Sequence, residues 1–331
     1  MKKEYSKWKD FLLKSSIPLE YEVMQLLSEN GCVGNYEYTY LREDENEVIN
    51  EFSYDIDASY IKGGDFFDLM IECKYRDPST NWIFIPENYG GINEIESYAF
   101  LNPIDHFTKE KKFLPLDYEP LGALCGKGIE ITSGGQNPKT ITQTISQLSY
   151  AMAEKIVSAM EHQIDELLAT SEVIFYNVPI IVTTANLYRL NENVTMEEIK
   201  KASNIEDVGT KEDCIILNGN IGTDLEYFNL SKFSKFINSR GKDFLNEKLK
   251  SFNKDIGFVL SVIAKQYSPQ AIAVIQYSEP NNGFKKLFDY LNEVHSPSEK
   301  TDLRMQEKQK RMEDISKKIN ELKLIKASNK T

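Results

Sequence analysis

Residues 51–76 read E-F-S-Y-D-I-D-A-S-Y-I-K-G-G-D-F-F-D-L-M-I-E-C-K-Y-R, which predicts two β-strands joined by a turn at Lys62-Gly63-Gly64-Asp65. Side chains two residues apart on a strand share a face. On the first strand we expect the apolar stripe Phe52, Tyr54, Ile56 and Tyr60 opposite the polar stripe Ser53, Asp55, Asp57 and Ser59. The two strands therefore each have one apolar and one polar side.

The second strand carries acidic and basic side chains on the face opposite its apolar stripe. Glu72 lies on that face, and Lys74 follows two residues later. Carboxylates that crowd together resist ionising at the same time unless a cation lies among them. The pair of strands therefore predicts a divalent-metal site built around Asp57 and Glu72. A half-solvated hairpin with a polar outer face is the alternative interpretation.

The length, composition and charge of the whole chain limit the classes of function that the protein can have. Its 331 residues, 41% hydrophobic and 11% aromatic, suffice for one large domain with insertions or two modest domains. Four scattered cysteines without a Cys-x-x-Cys pair and three separated histidines count against disulfides, zinc and histidine chemistry. Without an apolar run long enough to cross a bilayer, we expect a soluble cytoplasmic protein with no membrane partner. The net charge of −12 counts against a general nucleic-acid coat.

Hydrophobic periodicity predicts an α/β order of elements. We expect a helix over residues 5–30 broken near Ile17-Pro18, a strand over 36–41, a helix over 140–163 and a buried strand over 177–190. Helices at 255–265 and 284–294 and a strand at 271–277 continue the pattern. Residues 86–139 read as a long insertion in which G-A-L-C-G-K-G, residues 122–128, forms turns, because its spacing does not fit a phosphate-binding loop.

The C-terminal residues 299–326 form a charged helix with a narrow apolar seam. The tail from residue 299 onward holds ten basic and six acidic residues, about +4 by count. The seam consists of Met305, Met312, Ile315, Ile319 and Leu322. Such a seam docks on the protein body, pairs with a second copy to form a homodimer, or binds a partner protein.

The order of a helix, a strand, an acidic strand and a strand with Glu-x-Lys resembles the PD-(D/E)xK, or restriction-endonuclease-like, nuclease superfamily. The resemblance rests on Glu20 in L-E-Y-E-V-M-Q-L-L, Asp57 in Y-D-I-D-A, and Glu72 and Lys74 in I-E-C-K-Y-R. The helix motif is similar to the F-E-x-x-V-x-x-L-L pattern of type IV restriction enzymes, with Leu19 in the place of the usual Phe. Ile56 stands where the family has proline before the acid.

This resemblance implies a mixed α/β fold with a restriction-endonuclease-like core, a central mixed β-sheet flanked by helices. The core covers about residues 19–190 of a nuclease domain spanning 1–295, with further α/β elements over 191–295. It implies that Asp57 and Glu72 hold Mg²⁺, for which Mn²⁺ can substitute, and that Glu20 holds a second metal or its waters. Lys74 orients the attacking water or stabilises the phosphate, and Gln147 orients the lysine or the substrate.

The implied activity is metal-dependent endonucleolytic hydrolysis of DNA phosphodiester bonds, in restriction or another phage-defence system. An exonuclease or an RNA-cutting relative would use the same residues. A non-catalytic nucleic-acid or protein-binding subunit that retains the fold is the alternative from a different class. The residues leave two choices of ligand open, Asp55 or Asp57 on the strand and Glu20 or Glu22 on the helix.

Overall fold

The computed structural model describes residues 7–43, 48–87, 101–108, 121–164, 173–249, 255–278 and 282–328. Its helices are α1 (Lys7–Lys14), α2 (Ile17–Glu29), α3 (Lys139–Ile164), α4 (Met196–Lys201), α5 (Thr223–Arg240), α6 (Lys242–Lys248), α7 (Ile256–Val262), α8 (Asn282–His295) and α9 (Glu299–Ser328). Its strands are β1 (Val33–Glu43), β2 (Ile49–Lys62), β3 (Asp65–Lys74), β4 (Asn81–Pro86), β5 (Pro103–Ile104), β6 (Ala123–Thr132), β7 (Gly135–Asn137), β8 (Ile174–Thr183), β9 (Asn186–Leu190), β10 (Gly209–Glu212), β11 (Cys214–Asn218) and β12 (Ala271–Gln276).

The described strands form one mixed sheet with the order β1-β2-β3-β8-β12-β11-β6-β4-β9-β10, and the short strands β5 and β7 pair with β8 and β6. The pairs β1–β2 and β2–β3 are antiparallel, whereas β8 runs parallel to both β3 and β12. All ten residues of β8 are buried, as its β-branched sequence predicts. The expected mixed α/β fold with a central mixed sheet is confirmed.

Helices cover both faces of this sheet and create two hydrophobic cores. One core lies between the sheet and α3, α5, α6 and α7. The other lies between the sheet and α2 and α8, where Leu19, Val23 and Leu27 of α2 are buried at four-residue spacing. We call these the α3 side and the α2 side of the sheet.

The predicted hairpin is present, with strands that end at the expected turn. Lys62 pairs with Asp65, and Gly63 between them has a φ of +54°, a conformation that glycine adopts without steric cost. The helix predicted over residues 5–30 is broken at Ile17-Pro18 into α1 and α2, as expected. The elements α2, β1, β2, β3, α3 and β8 come in this order along the chain, with β4 to β7 between β3 and α3. The four strands β1, β2, β3 and β8 are neighbours in the sheet.

Two sequence interpretations were wrong in detail. The segment with G-A-L-C-G-K-G was expected to form turns, but residues 123–132 form β6 within the sheet. Its Gly128 leaves room for a neighbouring aromatic ring, because a Cβ there would come within 2.6 Å of Phe84. The strand expected over 177–190 is two strands, β8 and β9. Residues 88–100 and 109–120 of the predicted insertion lie outside the described residues.

The C-terminal helix is present as α9, and its predicted seam is described in part. Met305 is half-buried and Ile315 is exposed, whereas the side chains of Met312, Ile319 and Leu322 are outside the described part. Pairing of α9 with a second copy or a partner stays a prediction. Across the described ranges, no helix combines the length and the apolar character that crossing a membrane requires.

The buried carboxylate of Glu130 connects the residues after the Glu-x-Lys motif of β3 to the rest of the sheet. Glu130 on β6 accepts hydrogen bonds from the Arg76 guanidinium, from the Trp82 indole N–H at 2.9 Å and from the Thr140 hydroxyl at 3.1 Å. These contacts hold α3 and β4 against the same carboxylate. Glu130 thus serves as the hydrogen-bond acceptor for three donors at once.

We expect Glu130→Ala to lower the free energy of unfolding by about 3 kcal/mol, because it leaves the charge of Arg76 and a buried indole N–H without their partner. Urea denaturation followed by circular dichroism measures the change. Glu51→Ala, at an exposed position on β2, is the matched control and should stay within about 0.5 kcal/mol of the parent protein. Equal losses in the two variants would contradict a structural role for Glu130.

Candidate active site

Glu72 and Lys74 lie side by side at the end of β3. The Lys74 ammonium donates to Oε1 of Glu72, whose side chain is only 1% exposed, while Lys74 is partly open to solvent. The second carboxylate oxygen, Oε2 of Glu72, is buried and has no hydrogen-bond partner in the described part of the chain. A buried carboxylate oxygen without a donor is costly, so this atom is available to a ligand.

Asp55 brings a second carboxylate to the same place. Its Oδ2 accepts the backbone N–H of Cys73 at 2.6 Å, one residue after Glu72. The regular pairing of β2 with β3 ends at Ile56 and Ile71. The Asp55 carboxylate therefore accepts a backbone N–H of β3 that a carbonyl of β2 would accept if the ladder continued.

A local irregularity puts Asp55 in this position. Tyr54 packs in the core on the α3 side, whereas Ile56 packs in the core on the α2 side, so the alternation of faces is interrupted between them. On the neighbouring strand Glu37 has a φ of +62°, and the ladder between β1 and β2 lacks the pair of Glu37 with Asp55. Such a departure from β geometry redirects side chains next to it.

Glu20 of α2 lies on the α2 side of the sheet, near Asp55 and Lys74. The pKa of Glu20 is raised to about 7, first by burial and then by the negative charge of Asp55, while Lys74 lowers it. Glu22, the other candidate on this helix, is exposed. The structure therefore groups Glu20, and not Glu22, with the end of β3.

The charge of Asp55 raises the pKa of both Glu20 and Glu72. The pKa of Glu72 is raised to about 7, first by burial and then by the charge of Asp55, while Lys74 and the backbone N–H of Asp55 lower it. The pKa of Asp55 is also raised, chiefly by burial, although the Cys73 N–H and Lys74 lower it. One ammonium among three carboxyls leaves negative charge that is not compensated. The cluster has the electrostatic character of a cation site.

Asp57, the strand ligand expected from the sequence, is placed elsewhere. Its carboxylate lies on the α3 side, where it accepts the Tyr54 hydroxyl at 2.7 Å and the Lys155 ammonium at 2.9 and 3.1 Å. The expectation that Asp55 and Asp57 share a face was wrong, because the irregularity at Asp55 separates them. Of the two candidates that the sequence left open, Asp55 is the one beside Glu72.

Gln147 of α3 contacts β2 rather than Lys74. Its side-chain amide donates to the backbone carbonyl of Ser53 at 3.3 Å, and its backbone carbonyl accepts the Tyr40 hydroxyl at 2.9 Å. These bonds attach α3 to β1 and β2 near Asp55. Gln147 is therefore placed to hold the strand that carries a site carboxylate, and its partner in the structure is backbone.

Sequence reasoning missed a second polar cluster on the α3 side. Lys155 reaches Asp57 from α3. The pKa of Asp68 is raised by burial, an effect that Lys155 and the Ser59 hydroxyl, which donates to Asp68 at 2.6 Å, partly offset. The one available signal was a lysine within a helix stretch of small and apolar residues, A-M-A-E-K-I-V. Its side chain is only 11% exposed, so a partner carboxylate is required.

Within the ranges that the structure describes, no group of three His, Cys, Asp or Glu side chains is drawn together closely enough to hold a metal ion. Comparison of the chain with protein-family profiles, with curated protein sequences and with solved structures gives no significant match.

The raised pKa values predict a pH dependence of stability in the metal-free protein. A carboxyl with a folded-state pKa of about 7 binds its proton more tightly than the unfolded chain does. The folded state is therefore favoured at low pH, and this contribution is lost as pH rises from about 4.5 to about 7. Melting temperatures in EDTA should fall across that window, and the fall should be smaller in the variant Glu20→Gln/Glu72→Gln.

The control for this experiment is Glu22→Gln/Glu51→Gln, which changes two exposed glutamates, one on α2 like Glu20 and one on β2, the strand that pairs with the β3 of Glu72. It should keep the pH profile of the parent protein. A parent profile that is unchanged by removal of Glu20 and Glu72 would mean that these groups titrate normally.

Proposed function

We propose that this protein is a Mg²⁺-dependent nuclease that hydrolyses DNA phosphodiester bonds endonucleolytically. The observation that carries the proposal is the grouping of Glu20, Asp55, Glu72 and Lys74 at the end of β3, with a buried Oε2 of Glu72 that lacks a donor. The biological setting in restriction or phage defence rests on the resemblance to the PD-(D/E)xK superfamily.

The topology around the site supports the restriction-endonuclease-like assignment. The resemblance requires a helix, three strands, a helix and a further strand, with the acidic residues on the first helix and on the second and third strands. The elements α2, β1, β2, β3, α3 and β8 follow this order, and their strands are adjacent in the sheet. Glu20, Asp55 and Glu72 lie on α2, β2 and β3.

The residues present fit a hard divalent cation. Asp55 and Glu72 supply carboxylate oxygens, the ligands that Mg²⁺ prefers, and Glu20 of α2 adds a carboxyl near Asp55. Two or three carboxylates suffice because Mg²⁺ keeps several of its waters. When bound, Mg²⁺ supplies Lewis-acid polarisation of the phosphate and a lowered pKa of a bound water.

The protein's own groups account for the remaining steps. Lys74 is charged and partly open to solvent, so it orients the attacking water or neutralises a phosphate oxygen. Its ion pair with Glu72 fixes the position of the ammonium. Glu20 accepts hydrogen bonds from water in its ionised form, and a pKa near 7 allows it to take up a proton at neutral pH.

Two substitutions on one strand test the site. We expect Asp55→Asn to reduce plasmid nicking with Mg²⁺ by at least about 100-fold, since loss of a metal-binding carboxylate removes several kcal/mol of charge stabilisation. Asp57→Asn, the same chemical change two residues along, should retain nicking within about 10-fold because Asp57 is paired with Lys155 and Tyr54. Glu72→Gln should match Asp55→Asn.

Each of the other possible results indicates a different ligand or a different function. Loss of nicking in Asp57→Asn with retention in Asp55→Asn would restore the ligand assignment made from the sequence. Cleavage of linear but not circular DNA would indicate the exonuclease, and cleavage of RNA alone the RNA-cutting relative. A folded protein that binds DNA, cleaves neither substrate and shows no Mg²⁺-dependent rise in melting temperature would indicate the non-catalytic subunit.

A further inference from the structure

Exposed aromatic rings lie beside the proposed active site. Tyr21 follows Glu20 on α2 and is 56% exposed, and Tyr36 on β1 is 49% exposed. Tyr36 pairs with Ile56, the residue after Asp55. Glu20 and Tyr21 also act on the Tyr36 hydroxyl electrostatically, so both lie near it.

A helix with exposed aromatic and basic side chains ends at the same place. All residues of α1, K-W-K-D-F-L-L-K, are exposed, with Trp8 at 54% and Phe11 at 67%. The helix is attached to the end of β3, because the backbone N–H of Tyr75 donates to the hydroxyl of Ser16 at 3.2 Å. Tyr75 directly follows Lys74, so the corner between α1 and α2 adjoins the site.

The charge of α1 is opposite to that of the chain. It holds three lysines and one aspartate, whereas the chain as a whole carries a net charge of −12. The Lys9 ammonium lies 5.8 Å from the centre of the Trp8 ring, so cationic and aromatic groups form one surface. An acidic protein that binds a polyanion needs such a local patch, and stacking on aromatic rings adds affinity that does not depend on net charge.

We infer that Trp8, Phe11, Tyr21 and Tyr36, together with the lysines of α1, form a surface that binds unpaired DNA bases leading into the active site. Every base offers a flat face that stacks on an aromatic ring, but in a duplex these faces are covered by neighbouring bases. The surface therefore favours a single strand over a duplex. This inference rests on the proposed function and specifies its substrate as single-stranded DNA or an unpaired strand at a junction.

The tryptophans of this chain provide a direct measurement. The chain has two, Trp8 on α1 and Trp82, which is fully buried and bound to Glu130. Quenching of intrinsic fluorescence by oligodeoxythymidine therefore reports on Trp8. The titration is done in EDTA at low salt, with a self-complementary hairpin of the same length as the duplex competitor. We expect the single strand to quench the fluorescence and to bind at least about 10-fold more tightly than the hairpin.

Ring variants identify the surface. Tyr21→Ala and Tyr36→Ala should each weaken binding of the fluorescently labelled oligonucleotide at least about 5-fold, measured by anisotropy, since one stacked base contributes about 1–3 kcal/mol. Tyr21→Phe and Tyr36→Phe, which keep the ring, should bind like the parent. Tyr227→Ala is the matched control, because Tyr227 is 77% exposed on α5, on the other side of the sheet.

Equal affinity for hairpin and single strand, or equal weakening by Tyr227→Ala, would overturn the inference. Protection of Trp8 that grows with protein concentration in the absence of DNA would also overturn it and indicate a contact with a second copy. Because binding is measured in EDTA, the result is independent of cleavage. Nicking without single-strand preference would refute only this inference, whereas single-strand binding without nicking would refute only the nuclease.

Discussion

The hydrogen bond from the Cys73 N–H to the Asp55 carboxylate determines the geometry of the site. Two antiparallel strands that kept their ladder would satisfy this N–H with a backbone carbonyl, and their side chains would alternate regularly. Here the side chain of Asp55 replaces the carbonyl, the ladder ends at Ile56, and the faces of β2 exchange. As a result the Asp55 carboxylate lies beside Glu72 at the end of β3, where α2 can approach it.

This arrangement is electrostatically unfavourable in the isolated chain. Glu72 is almost completely buried and one of its oxygens has no donor in the described part of the chain. Burial raises the pKa values of Glu20, Asp55 and Glu72, and the charge of Asp55 adds to the rise in both glutamates. The single ammonium of Lys74 compensates only part of the charge. Proteins keep such clusters where a cation or a chemical step requires them. The neighbouring cluster of Asp57, Lys155 and Tyr54 is different in kind, because its charges are paired and its donors are satisfied.

The location of the site fits the proposal that this acidic protein acts on a polyanion. The carboxylates lie at the end of β3, and the corner between α1 and α2 is attached there through Ser16. The positive charge and exposed rings of α1 therefore lie close to the acidic cluster, while the remaining negative charge is distributed over the chain. Local complementarity of this kind determines binding more than the net charge does.

The sequence by itself determined the hairpin with its Gly-Gly turn, the break at Pro18, the amphipathic helices α2 and α3, the buried strand β8 and the pair of Glu72 and Lys74. These features follow from local rules, since turn chemistry, helical spacing and the distance between residues two apart on a strand do not depend on the rest of the chain. Of the two glutamates that it offered on α2, Glu20 is the one that lies near Asp55 and Lys74.

Only the tertiary structure separated Asp55 from Asp57, and it alone assigned the glycine-rich residues 123–132 to a strand. Regular alternation predicts that the two aspartates share a face, and the exchange of faces depends on Glu37 of a neighbouring strand and on the N–H of Cys73, both distant in sequence. Lys155 likewise selects Asp57 from a helix almost one hundred residues away. The positions of Asp55 and Asp57 therefore depend on partners far away in sequence. No local sequence pattern predicts these positions, because the groups meet only when the sheet and helices pack together.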